Sequence, residues 1–176
     1  MKPGFGVWRL GAVFLALAIG VQVCSADEPE EEEFGRKWAE GAIEIPPAPQ
    51  ADNLVAFYVS AATDNRFFID TSTVSVSPDG VVRYVLVIET ADGVRSVSFE
   101  GMRCETRERR IYASGRPDGT WSRSKIAEWR RIRDAGSNRY HMALFAEYFC
   151  PEGVMVRSAD EARDALRRGG HPDSRR

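Results

Sequence analysis

Only two histidines and three cysteines occur among the 176 residues of the chain. That scarcity excludes several chemistries together. A zinc site needs more ligands than His141, His171 and the cysteines supply at these positions. No two cysteines stand as C-x-x-C, so a dithiol redox centre is not expected. Also missing are a G-x-S-x-G elbow, an H-E-x-x-H helix, a phosphate-binding glycine loop and an aspartate-rich calcium loop. No cofactor and no enzymatic activity are therefore assigned. His141 lies in an apolar segment, where a satisfied core histidine is the commoner case, and His171 lies in a polar tail. The remaining catalytic option is a hydrolase using a carboxylate pair. Glu89 and Glu100 are its candidates if they face each other across a hairpin, although paired surface charges on a sheet are the commoner outcome.

What is present begins with a leader. Lys2 and Arg9 precede a mostly apolar stretch of 14 residues, Leu10 to Val23, and then the small residues Cys24, Ser25 and Ala26. A bilayer-spanning helix needs about 20 such residues, so the segment reads as a secretory signal cut between Ala26 and Asp27. The alternatives are an outer-membrane lipoprotein carrying lipid on Cys24, and a buried N-terminal helix. Cleavage removes two basic residues, taking 24 basic residues to 22 against 26 acidic ones, and leaves no transmembrane segment. The expected location is the periplasm or the exterior.

Charge is unevenly distributed. Asp27 to Glu33 holds six acids in seven positions and reads as a solvated arm. Prolines 46, 47 and 49 extend that arm as a polyproline-like strap. Phe34, Trp38, Ile43 and Ile45 give the arm residues able to pack back on the domain. The organisation expected is a signal over 1–26, an arm over 27–52, one domain over 53–168 and a disordered tail over 169–176.

From Leu54 to Ala113 the pattern has period two. Val82, Tyr84, Leu86 and Ile88 form one apolar face of the longest strand, and Val97 and Phe99 point opposite to Ser96, Ser98 and Glu100. Arg66–Asp70 and Thr71–Ser77 read as two short strands. Pro78-Asp79-Gly80, Asp92-Gly93 and Asp118-Gly119 are hairpin signals. The period then changes: Ser137 to Cys150 reads as a buried helix ended by Pro151. Ser158 and Glu161 open a thinly apolar terminal helix that Gly169 closes. The fold class expected is α+β: an antiparallel meander of about five to six strands, packed by a C-terminal helix, with a short peripheral terminal helix. Once the leader is gone, Cys104 and Cys150 are the two remaining cysteines. In an exported chain they are expected to pair, tethering that helix to the sheet; two free thiols are the alternative.

Residues 103 to 133 hold ten basic residues against four acidic ones, interleaved with Tyr112, Trp121 and Trp129. Arg109, Arg110, Arg130 and Arg131, with Trp121 and Trp129, are the candidate anion-binding face. Its ligand would be an anionic envelope polymer or a lipid head group rather than nucleic acid. The alternative is a solvated face with its aromatics in the core. An exposed strand edge offers a second route, to a protein partner or a homodimer.

The segments "LVAFYVSAATDNRFFID", "VSFEGMRCETRERRIYASGRPDGTWS" and "ALFAEYFCPEG" resemble the CNP-one-like family of uncharacterised exported bacterial proteins. The resemblance covers Trp38 to Arg168. Its carrying pieces are Asp64 to Phe68, Gly101 to Cys104, Asp118 to Trp121 and Tyr148 to Pro151. More distantly, Phe68-Ile69-Asp70, Cys104 and Cys150 follow the order found in surface-adhesin protein E domains. That similarity implies an antiparallel sheet with a disulfide-tethered helix, and adhesin-like binding of host or envelope polymers as an alternative role. The reading carried forward is an exported, non-catalytic envelope protein that binds or assembles.

Overall fold

Strand β3, Val81–Glu89, is apolar on both of its faces because both are covered. In the computed structural model every residue from Val81 to Val87 is buried. The structure describes Met1 and residues 37–126, 128–134 and 139–175. The remaining strands are β1 (Leu54–Phe57), β2 (Arg66–Val76), β4 (Arg95–Arg103), β5 (Glu108–Gly115), β6 (Trp121–Arg123) and the two-residue β7 (Arg130–Arg131). All pairings are antiparallel and the order β1 to β6 is that of the sequence, with β7 beside β5. With the helices, this is the expected α+β meander. The chain divides into units Met1–Lys37 and Trp38–Arg176, and every element named here belongs to the second. The signal, its cleavage point at Ala26 and Asp27, Cys24 and the acidic run lie outside the described residues.

The two faces of the sheet carry different layers. Val82, Tyr84, Leu86 and Met102 face the C-terminal helices, where Leu144, Tyr148 and Phe149 fill the main core. Val85, Val87, Phe99 and Tyr112 face the other way and receive Ile43 and Ile45 of the strap. The folded unit thus begins at Trp38, ahead of the boundary expected near Asn53. The proline-rich composition set an extended conformation, and the two isoleucines set where it docks.

The segments expected as two strands over 66–77 form the single strand β2, with a register shift between Asp70 and Ser75. Buried Asp70 accepts hydrogen bonds from the Ser72 amide at 2.9 Å and the Ser72 hydroxyl at 2.6 Å. Those bonds satisfy the bulge locally, so the chain bends without leaving the sheet. The helix expected over 137–150 begins as α1, Arg139–Ala143, and widens into a π-helical stretch, Leu144–Phe149. Cys150 then closes it before Pro151. Helix α2, Ala159–Arg167, is capped by Ser158, whose hydroxyl accepts from the Glu161 amide at 3.2 Å. Only Ala162, Ala165 and Leu166 of α2 are buried.

Residues 169–176, expected as a disordered tail, fold back as far as they are described. The His171 amide donates to the Glu147 carbonyl at 2.7 Å, and its imidazole, 6% exposed, lies 3.1 Å from Glu161. The tail's polar composition hid that histidine's internal partner.

Cys104, just after β4, is bonded to Cys150, with a Cα–Cα distance of 5.4 Å. The bridge spans a sequence separation of 46 residues and ties the helix layer to the sheet. Restricting so long a loop in the unfolded chain is worth about 4 kcal/mol in the chain-entropy picture.

Gly101 marks the tightest packing. A Cβ there would lie 2.2 Å from the Tyr112 hydroxyl oxygen. The pairing of β4 and β5 slips between Phe99 and Glu100, which turns Tyr112 to the strap side and across the glycine. We expect Gly101→Ala to cost about 1–3 kcal/mol through overpacking, read as a lowered Tm. An unchanged Tm would mean that the tyrosine ring can sidestep.

Candidate functional site

The strap is held by charge as well as by apolar contact. Glu40 accepts from Tyr112 Oη at 2.5 Å, pairs with Arg110 Nη1 at 2.5 Å, and lies 3.5 Å from Arg83. Arg83, 5% exposed, also binds Asp79 at 2.6 Å and the Ser77 hydroxyl at 2.8 Å. Asp79 in turn accepts from the Gly41 amide at 2.8 Å, and its carbonyl accepts from the Trp38 indole at 2.8 Å. Burial opposes the Asp79 charge, but Arg83 and the Gly41 and Val81 amides outweigh it and hold the carboxyl below its usual range. Burial and the Glu40 carboxylate push the Tyr112 hydroxyl up. Arg103 continues the clamp, with its guanidinium 3.7 Å from the Trp38 ring centroid and 5.7 Å from that of Trp129.

The strap ends at a cleft of about 270 Å³. Ala48 and Pro49 form its strap wall, and Val97, Pro117 and Trp121 give it an apolar floor. Arg95, at the start of β4, and Arg116, in the β5–β6 turn, stand on its rim, both exposed. Among the described residues no carboxylate lines the cleft. Asp118, in the same turn, is engaged by the Thr120 hydroxyl at 2.7 Å and amide at 2.9 Å, which with the nearby charge of Arg116 hold its carboxyl below the usual range. Two guanidinium groups over an aromatic floor can take an anion that also presents an apolar surface.

A second polar cluster lies between the sheet and α1. Glu100, 1% exposed, is 2.7 Å from His141 Nε2 and accepts from the Ser98 hydroxyl at 2.6 Å and the Tyr84 hydroxyl at 3.3 Å. Burial raises the Glu100 carboxyl, but His141, the Ser98 hydroxyl and the charge of Arg109 outweigh it, so its net direction is down. Burial and the Glu100 charge push the Tyr140 hydroxyl up to about 12. With His141 also 1% exposed, the pair is buried and holds α1 against the sheet.

The six arginines and tryptophans singled out from the sequence do not form one face. Arg109 and Arg110 are neighbours on β5 and point to opposite sides of the sheet. Arg110 joins the Glu40 clamp, and Arg109 acts on Glu100 and Tyr84 across the helix side. Trp129 belongs to the clamp, and Trp121 belongs to the cleft. Arg130 and Arg131 are exposed on β7, opposite Arg109 and Glu108. The carboxylate pair Glu89 and Glu100 does not form. Register sets Glu89 opposite Arg95 and Glu100 opposite Tyr84, on opposite faces, and Glu89 is bound to Arg66 at 2.5 Å. Sequence reading missed Glu40, whose partner Arg110 is 70 positions away, and Arg95, which stands outside the basic window.

Residues 33–167 match the sequence profile of the CNP1-like family, a span that includes the strap, the sheet and both helices. Cryptic neisserial protein 1 of Neisseria gonorrhoeae (strain ATCC 700825 / FA 1090) is 27% identical over 143 residues, covering 72% of this chain and 70% of that protein. No solved structure matches.

The direction of the Glu100 shift fixes the sign of one pH effect. A carboxyl held below its ordinary value of 4.5 in the fold adds stability above that pH and loses it as pH falls through the folded value. We expect Glu100→Gln to be destabilised by about 2 kcal/mol near neutral pH, with the gap to the parent narrowing below pH ~4.5 in Tm measurements. A gap that stays constant from pH 7 to pH 3 would remove Glu100 from acid sensitivity.

Proposed function

We propose, from the premise that the chain belongs to the CNP1-like family, that it is an exported, non-catalytic binding protein of the cell envelope. Its site is the cleft between Arg95, Arg116 and Trp121, and its ligand is an anionic polymer of the envelope. The observation that carries this reading is the rim itself: two exposed arginines over an apolar floor that no carboxylate lines among the described residues, with Glu89 opposite Arg95 in register and Asp118 beside Arg116 in the turn. Arginines of the same face that serve the fold, Arg83 and Arg110, are instead paired with Asp79 and Glu40.

Export is supported by the leader read in the sequence and by the Cys104–Cys150 disulfide, which persists in oxidising compartments. Among the described residues no helix is long and apolar enough to cross a membrane. A non-catalytic role is supported by the burial of the Glu100–His141 pair, each residue 1% exposed.

The test is binding of a soluble polyanion, dextran sulfate, by the full mature chain. With two arginines engaged, affinity should fall about tenfold between roughly 50 and 200 mM salt, through counterion release. Arg95→Gln with Arg116→Gln should lose binding at least tenfold while Tm moves by no more than a few degrees, since exposed charges add little to stability. Loss of binding through Arg130→Gln with Arg131→Gln instead would place the site on β7 and overturn this one.

A further inference from the structure

The floor of the cleft points to a narrower ligand class than charge alone. Resting on the anion-binding reading above, we propose that the cleft takes an acidic sugar unit of a polysaccharide: a pyranose ring bearing a carboxylate. Three features converge on that chemistry. Trp121, half-buried, supplies a flat aromatic surface, Pro117 extends that floor, and Pro49 adds an apolar ring on the strap wall. A ring laid on that floor buries its C–H face against the indole, as apolar surface does when it leaves water. Arg95 and Arg116 stand at the rim, where a planar carboxylate meets a guanidinium fork with paired hydrogen bonds. A cavity of about 270 Å³ lies just under the usual range for drug-sized ligands, which suits one or two sugar units and leaves the rest of the chain outside.

The same features disfavour the other anions. A phosphate or a polyphosphate would use the arginines and leave the Trp121 floor wet. A lipid head group on a membrane would need the cleft to lie against a bilayer, with apolar residues exposed around its mouth. The exposed residues around this end are mixed: Arg95, Arg116, Asp118 and Thr120 are polar, beside the isolated apolar Pro47, Val94 and Pro117 rather than a continuous apolar patch. Two glycines on the wall, Gly115 and Gly119, keep side chains out of the path of a ring. Gly115 can be nothing larger, since a Cβ there would lie 2.9 Å from Val97.

The strap adds a specificity element. Ala48 and Pro49 form one wall, and a Cβ at Gly119 would meet that of Ala48 at 3.9 Å, an ordinary van der Waals contact. The cleft therefore exists only with the strap docked, and its width is set by residues from two distant parts of the chain.

The test is calorimetric titration of the mature chain at low salt with four probes: an oligogalacturonate, a neutral galactose oligomer of equal length, inorganic polyphosphate and phosphatidylglycerol vesicles. The oligogalacturonate should bind at least tenfold more tightly than either the neutral oligomer or polyphosphate. Trp121→Phe should weaken it about threefold to tenfold, with polyphosphate binding and Tm unchanged; the phenyl ring keeps the floor filled if Trp121→Ala fails to fold. Equal binding of polyphosphate and oligogalacturonate, both insensitive to position 121, would overturn the sugar assignment and leave anion binding standing. Equal binding of the neutral oligomer would overturn the carboxylate's role. Vesicles binding alone would assign the site to lipid. If none of the four binds at low salt, the anion-binding reading falls as well.

Discussion

The carboxylate of Glu40 is the interaction on which the strap side of this protein depends. It sits between a hydroxyl and two guanidinium groups, and it is the acid that Arg110 and Tyr112 share. Arg83 and Arg110 carry charge into a face that is otherwise Val85, Val87 and Phe99. Burying those cations without a counter-charge would cost several kcal/mol. Glu40 and Asp79 supply that charge, and Glu40 lies on the strap. The strap is thus bound to the sheet by an electrostatic requirement of the sheet itself. Ile43 and Ile45 then add apolar burial on a segment already in place.

Two further features follow from that clamp. Tyr112 reaches Glu40 because a bulge between β4 and β5 turns its ring across Gly101, where no side chain fits. The cleft forms because the docked strap ends in Ala48 and Pro49, opposite the β5–β6 turn. On the other face the disulfide and the Glu100–His141 pair do the equivalent work for the helices, one by covalent constraint and one by a buried hydrogen bond between sheet and α1. The sheet is closed on both sides by segments from opposite ends of the folded unit, and the cleft lies at its margin.

Much of the sheet was legible because strand patterning is local. The even positions of β3 face the main core as their alternation indicated, and the turns at Gly80, Gly93 and Gly119 adopt the positive φ values that Asp-Gly pairs favour. The Cys104–Cys150 bond was legible from the number of cysteines. The clamp was not, because it is a pairing across 70 positions between a charged, proline-flanked segment and a strand. Nothing near Glu40 distinguishes it from its acidic neighbours. Arg109 and Arg110 illustrate a signal present and unused: period two already puts adjacent strand residues on opposite faces, so a count of arginines over a window overstates any one surface. The sequence offers Glu100 as a partner of Glu89 or as a surface charge; neither holds, since its partner His141 arrives from a helix 41 positions later.

A double-mutant cycle measures the clamp most directly. Glu40→Gln, Arg110→Gln and the pair together would be compared by denaturant unfolding with the same cycle on the exposed Arg66–Glu89 pair, where Arg66 is 71% exposed. A coupling of about 2–4 kcal/mol is expected for Glu40 and Arg110, against about 0.2–1 kcal/mol for the exposed pair. Equal couplings for the two pairs would contradict the clamp and leave the strap held by its isoleucines alone.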